Sequence, residues 1–94
     1  MSIFEVTIDE VKGGYKPHIR LKKDIVKDEF GNYWKLGKGS NLAAAFPTEV
    51  GKLRDNYIDS DGRELYAKGL GIPRITSNYE QALRIKAFYE TLVK

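Results

Sequence analysis

The 94-residue chain has no cysteine, which excludes a disulfide framework, a cysteine nucleophile and thiolate metal sites. It has one histidine, His18, so a three-histidine zinc site is excluded as well and only carboxylates remain as metal ligands. An excess of one charge is also lacking: 16 Lys and Arg stand against 13 Asp and Glu, a net +3. A surface imitating the phosphate backbone needs a large acidic excess, and a dedicated nucleic-acid binder usually shows a larger basic one or a visible cluster. None of the four asparagines begins an Asn-x-Ser/Thr sequon, and the sequence opens without a charged-then-apolar leader. These absences lead to the expectation of a cytoplasmic protein that holds no disulfide, metal or cofactor. The longest apolar run, residues 42–46, falls far short of the roughly 20 residues that cross a bilayer, so no membrane association is expected.

What is present suits one folded domain over residues 1–94: 41% hydrophobic and 31% charged residues. Residues 3–21 read as a β-hairpin. Phe4, Val6 and Ile8 alternate with Glu5, Thr7 and Asp9, and Ile19 and Leu21 alternate with His18, Arg20 and Lys22. With Gly13-Gly14 as a two-residue turn, Lys12 faces Tyr15, Ile8 faces Ile19, Val6 faces Leu21, Asp9 faces His18 and Glu5 faces Lys22. That register makes one face apolar and the other a wet, charge-paired surface. A second hairpin is predicted from Ile25-Val26-Lys27 and Tyr33-Trp34-Lys35, with Gly31 in the loop, Val26 opposite Trp34, and Trp34 in the core. Ser40 or Asn41 can cap a helix starting at Leu42, Pro47 ends or restarts it, and a second short helix is expected over residues 48–56. Asp61-Gly62 marks a third hairpin within residues 57–66. The last element is a helix over residues 78–93, with Ser77 and Glu80 at capping-box spacing. Its stripe of Ala82, Ile85, Phe88, Tyr89, Leu92 and Val93 is expected to cover the apolar face of the first hairpin.

Chemical motifs fail on inspection. Asp59-Ser60-Asp61-Gly62 matches part of a Ca²⁺ loop, but Tyr57 and Lys68 occupy its first and twelfth positions. Gly37-Lys38-Gly39-Ser40 resembles a fragment of a phosphate loop, yet Asn32 stands where the first glycine belongs. A weak anion site at Lys38 and Ser40, built on a helix N-terminus, is what remains of that motif. Glu10-Val11-Lys12 is the one Glu-x-Lys triplet and lies too near the start for the preceding acidic strand of a metal-dependent nuclease.

The expected fold is therefore α+β: a small antiparallel sheet of three to five strands with an N-terminal hairpin, a C-terminal helix on one face and a short helical segment in the middle. The expected function is non-catalytic: protein–protein contact as an adaptor or inhibitor, of the type found in small phage or bacterial accessory proteins. Eleven aromatic residues, six of them tyrosine, favour this, because tyrosine brings area, rigidity and a hydrogen bond to an interface. The alternative is nucleic-acid binding through a basic strand, since Lys16, His18, Arg20 and Lys22 alternate down one face with Tyr15, Tyr33 and Trp34 available for stacking, although the expected register sets Glu5 and Asp9 across from two of these cations and partly neutralises the stripe. A small enzyme with a carboxylate site is the third reading. Tyr15, Lys16, His18, Arg20, Lys22 and Tyr33 are thus the candidate partner-binding residues, with no catalytic residue among them.

Overall fold

Alternating apolar and polar residues at the start of the chain produce the longest pairing in the protein. In the computed structural model, which describes residues 3–37 and 40–93, strands β1 (Phe4–Val11) and β2 (Gly14–Leu21) form an antiparallel hairpin. Its register is two residues away from the one predicted with Gly13-Gly14 as the turn. Val6 pairs with Ile19, Ile8 with Pro17, Glu5 with Arg20 and Asp9 with Lys16, so the turn centres on Lys12-Gly13. A two-residue slip keeps every side chain on its expected face, because strand side chains alternate with period two. The slip has a tertiary cause. Tyr15 is bridged to Thr76 by two backbone hydrogen bonds, Tyr15 N to Thr76 O at 2.7 Å and Thr76 N to Tyr15 O at 2.9 Å. A Cβ on Gly14 would lie 2.2 Å from that Thr76 oxygen, at a backbone φ of +137°. Gly14 therefore serves the close approach of the segment around Thr76 rather than the hairpin turn.

β3 (Ile25–Lys27) and β4 (Tyr33–Lys35) make a separate two-stranded sheet in which Val26 pairs with Trp34, as predicted. Asn41 caps α1 (Leu42–Ala45) by accepting from Ala43 N at 2.9 Å. Pro47 then opens α2 (Pro47–Arg54), where the missing N–H costs nothing because a first-turn N–H has no helical partner. β5 (Ile58–Asp61) and β6 (Glu64–Ala67) close around Gly62-Arg63, one residue later than Asp61-Gly62, with Gly62 at φ +62°. The main sheet is antiparallel with order β1-β2-β6-β5. The final helix, α3 (Tyr79–Val93), is capped by Asn78 rather than Ser77: Asn78 Oδ1 accepts from Glu80 N at 2.9 Å and Gln81 N at 3.2 Å. Thr76, pinned by Tyr15, accepts from Asn78 N at 3.2 Å and so sets where the helix starts.

The stripe on α3 covers β1 and β2 as expected, making the fold α+β. Ala82, Ile85 and Tyr89 are buried on it, against a core that includes Phe4, Ile19, Leu21 and Leu65. Tyr89 finishes the contact with a polar tip: its hydroxyl accepts from Ala67 N at 2.8 Å. The opposite face of the sheet is not the uniformly wet surface that alternation predicts. His18 there is only 4% exposed, beside the buried Leu36 and Leu42 that follow the second hairpin. Among the described residues no helix is long and apolar enough to cross a membrane.

Candidate functional site

The cations that alternate along β2 do not form a common platform. Lys16 reaches across to β6, with Nζ 2.7 Å from Glu64 Oε1. His18 is buried, its Nε2 2.8 Å from Asp9 Oδ2 and 3.2 Å from Thr7 Oγ1. Arg20 is exposed but holds Glu5 Oε1 through Nε at 2.9 Å. Tyr15 is half-buried, bridged to Thr76, with its ring edge-on to Tyr79 at 5.0 Å. Of the predicted partner-binding residues, Lys22 and Tyr33 stand apart from this network, and both belong to the neighbourhood of the second hairpin. Ser40 Oγ accepts from Gly37 N at 2.8 Å, closing the local loop, and Lys38 lies outside the described residues.

The second hairpin is built by its acidic residues. Asp28 opens the turn and its carboxylate accepts from Phe30 N and Asn32 N at 2.8 Å each, and from Trp34 Nε1 at 2.5 Å. Partial burial pushes the Asp28 carboxyl up, but the Trp34 indole and the N–H groups of Asn32, Phe30 and Gly31 outweigh it and hold it below the usual carboxylate range. Glu29 performs a second task. Phe46 offers α2 no side-chain cap, and Glu29 supplies one from across the chain, accepting from Thr48 N and Glu49 N at 3.0 Å. Desolvation raises its carboxyl too, and the N–H groups of Glu49 and Thr48, the Thr48 hydroxyl and the Lys52 charge together lower it further than that. Asp24, the third acid, binds Arg63 at 2.6 Å.

Every carboxylate of residues 22–35 is thus engaged inside the fold, while its four lysines are not. Lys22, Lys23, Lys27 and Lys35 have no ion-pair partner among the described residues. Around them stand apolar side chains in water: Phe30 is 70% exposed, Tyr33 76% and Ile25 63%. The pairing of Ile25 with Lys35 and Lys27 with Tyr33 puts these four on one face of the two-stranded sheet, with Lys27 Nζ 5.9 Å from the Tyr33 ring centre. Trp34 lies on the other face with Val26; at 36% exposure it is not the core residue that its pairing suggested, because its indole is turned to Asp28. Beside the hairpin runs a groove of about 320 Å³, lined by the buried Leu21 and Phe46 and the exposed Ile3 and Ile25, with Lys22, Lys23 and Lys27 on its wall.

Ile25, Lys27, Phe30 and Lys35 are not among the partner-binding residues expected from the sequence, because none of them belongs to a functional motif. The available signal was Asp28 before Glu29-Phe30-Gly31-Asn32, a side chain placed to bind backbone N–H groups two and four residues on, which implies a rigid, presented loop. Among the described residues no group of three or more His, Asp or Glu side chains is arranged to hold a metal ion. The chain matches no known family model, no curated protein and no solved structure.

Proposed function

We propose that this protein is a non-catalytic binding protein that makes protein–protein contact through the β3–β4 hairpin, as an adaptor or inhibitor of an acidic partner. The observation that carries this reading is the internal use of Asp24, Asp28 and Glu29, beside four lysines that have no ion-pair partner among the described residues and stand around exposed Ile25, Phe30 and Tyr33. Aromatic side chains held on a rigid loop lose little entropy on binding, and surrounding cations steer an acidic surface toward them. Among the described residues neither strand of the small sheet pairs with a third strand, which leaves strand addition as a further mode of contact. The absence of cysteine supports a cytoplasmic setting, and the small size suits an accessory protein of a phage or bacterium.

Nucleic acid is the second reading, and one observation favours it: Tyr33 and Phe30 next to unpaired lysines resemble a stacking platform. The pairing of Lys16, His18 and Arg20 within the fold takes away most of the basic strand on which that reading rested. The test uses the intact protein and two variants, Phe30→Ala and Tyr33→Ala, in cross-linking to proteins of the source cell. A partner held by the parent and lost, by about thirtyfold in affinity or more, from either variant supports the proposal. An identical captured set for parent and variants overturns it. Oligonucleotide affinity falling by orders of magnitude between about 50 and 200 mM salt transfers the hairpin to the nucleic-acid reading.

A further inference from the structure

The groove beside the second hairpin runs along the edge of a strand. Ile25, Val26 and Lys27, the whole of β3, line it. Successive side chains of a strand point to opposite faces, so a groove reached by three in a row lies along the edge of β3 that β4 does not occupy. The backbone hydrogen bonds agree. Leu36 N donates to Asp24 O at 2.7 Å and Asp28 N to Asn32 O at 2.8 Å, continuing the β3–β4 register at either end as hydrogen-bonded pairs. Bonded and non-bonded pairs alternate along an antiparallel ladder, so Val26 is the residue bonded to Trp34. The backbone N–H and C=O groups of Ile25 and Lys27 then point away from β4. Among the described residues no other segment pairs with them.

The walls of the groove select what can lie in it. Leu21 and Phe46 are buried and only close its floor. The apolar surface open to a ligand is that of exposed Ile3 and Ile25, half-buried Val26 and the lysine stems. Lys22, Lys23 and Lys27 supply the charge; each is exposed and has no ion-pair partner among the described residues. Among the described residues no carboxylate lines this groove, because Asp24, the acid between Lys23 and Ile25, is turned to Arg63 at 2.6 Å. Backbone donors and acceptors along one side ask for an extended chain, and lysines without acids ask for a negative one.

We infer that the groove receives an extended acidic segment of the partner protein, which adds to β3 as a third strand of the small sheet. Its backbone pairs with the N–H and C=O groups of Ile25 and Lys27. An apolar side chain of the segment lies opposite Ile25 and a carboxylate opposite Lys27, with Lys22 and Lys23 attracting further acidic residues. The inference rests on the reading of the second hairpin as the contact for an acidic protein, and it names the kind of segment that the contact takes.

The experiment is an NMR titration of the intact protein with the peptide acetyl-Glu-Thr-Val-Thr-Glu-amide, carried to several millimolar and read at the backbone amides. In an extended chain its two glutamates and its valine share one face. The expected result is a saturable response in which the Ile25 and Lys27 amides move downfield and exchange more slowly, while the Val26 amide, which points to Trp34, shifts little. N-methylation of the valine removes its N–H donor to the Ile25 carbonyl and should abolish the response. Lys27→Glu changes an exposed side chain, so it should keep the circular dichroism of the parent; by turning an attraction into a repulsion it should weaken the peptide roughly tenfold. No saturable shift overturns the assignment. An equal response to the N-methylated peptide overturns it as well, leaving charge attraction without strand addition. A stronger response of the same amides to an oligothymidylate also overturns it and gives the groove to nucleic acid. Phe30 and Tyr33 do not line the groove, which keeps the two readings separable. A partner released by Phe30→Ala from a protein that ignores the peptide strikes the groove alone. A peptide response beside unchanged partner capture in Phe30→Ala and Tyr33→Ala supports the groove and strikes the hairpin reading.

Discussion

Replacing Tyr89 by Phe tests whether α3 is locked to the sheet by a polar contact as well as by its apolar stripe. Tyr89 is 1% exposed, and its hydroxyl accepts from Ala67 N at 2.8 Å. Phenylalanine keeps the ring and its packing but removes that acceptor. The Ala67 N–H is then left buried and without a partner, which costs about 1–3 kcal/mol. That is a large share of the roughly 5–15 kcal/mol by which small domains are stable. At about 4–8 °C per kcal/mol for a chain of this size, Tm should fall by several degrees to some 15 °C or more. Urea unfolding followed by far-ultraviolet circular dichroism should show a lower midpoint with an unchanged slope, since the surface exposed on unfolding is the same. Amide exchange at Ala67 should accelerate more than exchange at the β1–β2 pairs. A loss below about 0.5 kcal/mol, with Ala67 protection intact, would refute the reasoning, because the lower end of the orphaned-donor cost is twice that. The same hydroxyl carries a pH signature. Burial pushes Tyr89 above the ordinary tyrosine value near 10, against the smaller opposing effects of the Ala67 N–H and the Arg74 charge. The fold therefore favours the neutral phenol, a contribution complete below about pH 10 and lost as the pH rises through the folded value. Tyr89→Phe should lack that component of alkaline unfolding.

Gly51 sits inside α2 at an ordinary φ with nothing within 4 Å of the Cβ position, so Gly51→Ala should stabilise the protein by about 0.5–1 kcal/mol in urea unfolding. Gly14→Ala should do the opposite. Its Cβ meets backbone rather than a movable side chain, so the Tyr15–Thr76 bridge must open, and loss of amide protection at Thr76 is the readout. Asp28, Glu29 and Asp59 all have folded carboxyls below their ordinary values, so their stabilisation is present above about pH 4 and lost as the pH falls through the lower folded values. Asp28→Asn should flatten the acid-unfolding curve and change Trp34 fluorescence; an acid midpoint identical to the parent's would count against the turn-organising role of Asp28.

The parts of this protein that the sequence determined are the parts fixed by neighbours along the chain. Period-two alternation at Phe4, Val6 and Ile8 makes a strand wherever it is placed, and the stripe of Ala82, Ile85 and Tyr89 makes an amphipathic helix that must find an apolar face. The α+β class, the three hairpins, the Val26–Trp34 pair and the Asn41 cap follow from such local rules. Tertiary structure decided everything that depends on which distant residue arrives. The bridge from Thr76 to Tyr15 drew Gly14 into the strand, slipped the register by two and moved the final cap from Ser77 to Asn78. Burial of His18 depended on Leu36 and Leu42 lying beside it, residues with no periodic relation to β2. The charge pattern was the least legible feature. Lys16 finds Glu64 across 48 positions, Arg63 finds Asp24 across 39, and Glu29 finds the start of α2, so the basic stripe visible along β2 is neutralised. The cations without an ion-pair partner among the described residues stand instead on and beside the second hairpin. Charge along a chain is a sum, whereas charge on a surface is what remains after the fold has chosen its pairs, and that choice is made by long-range packing.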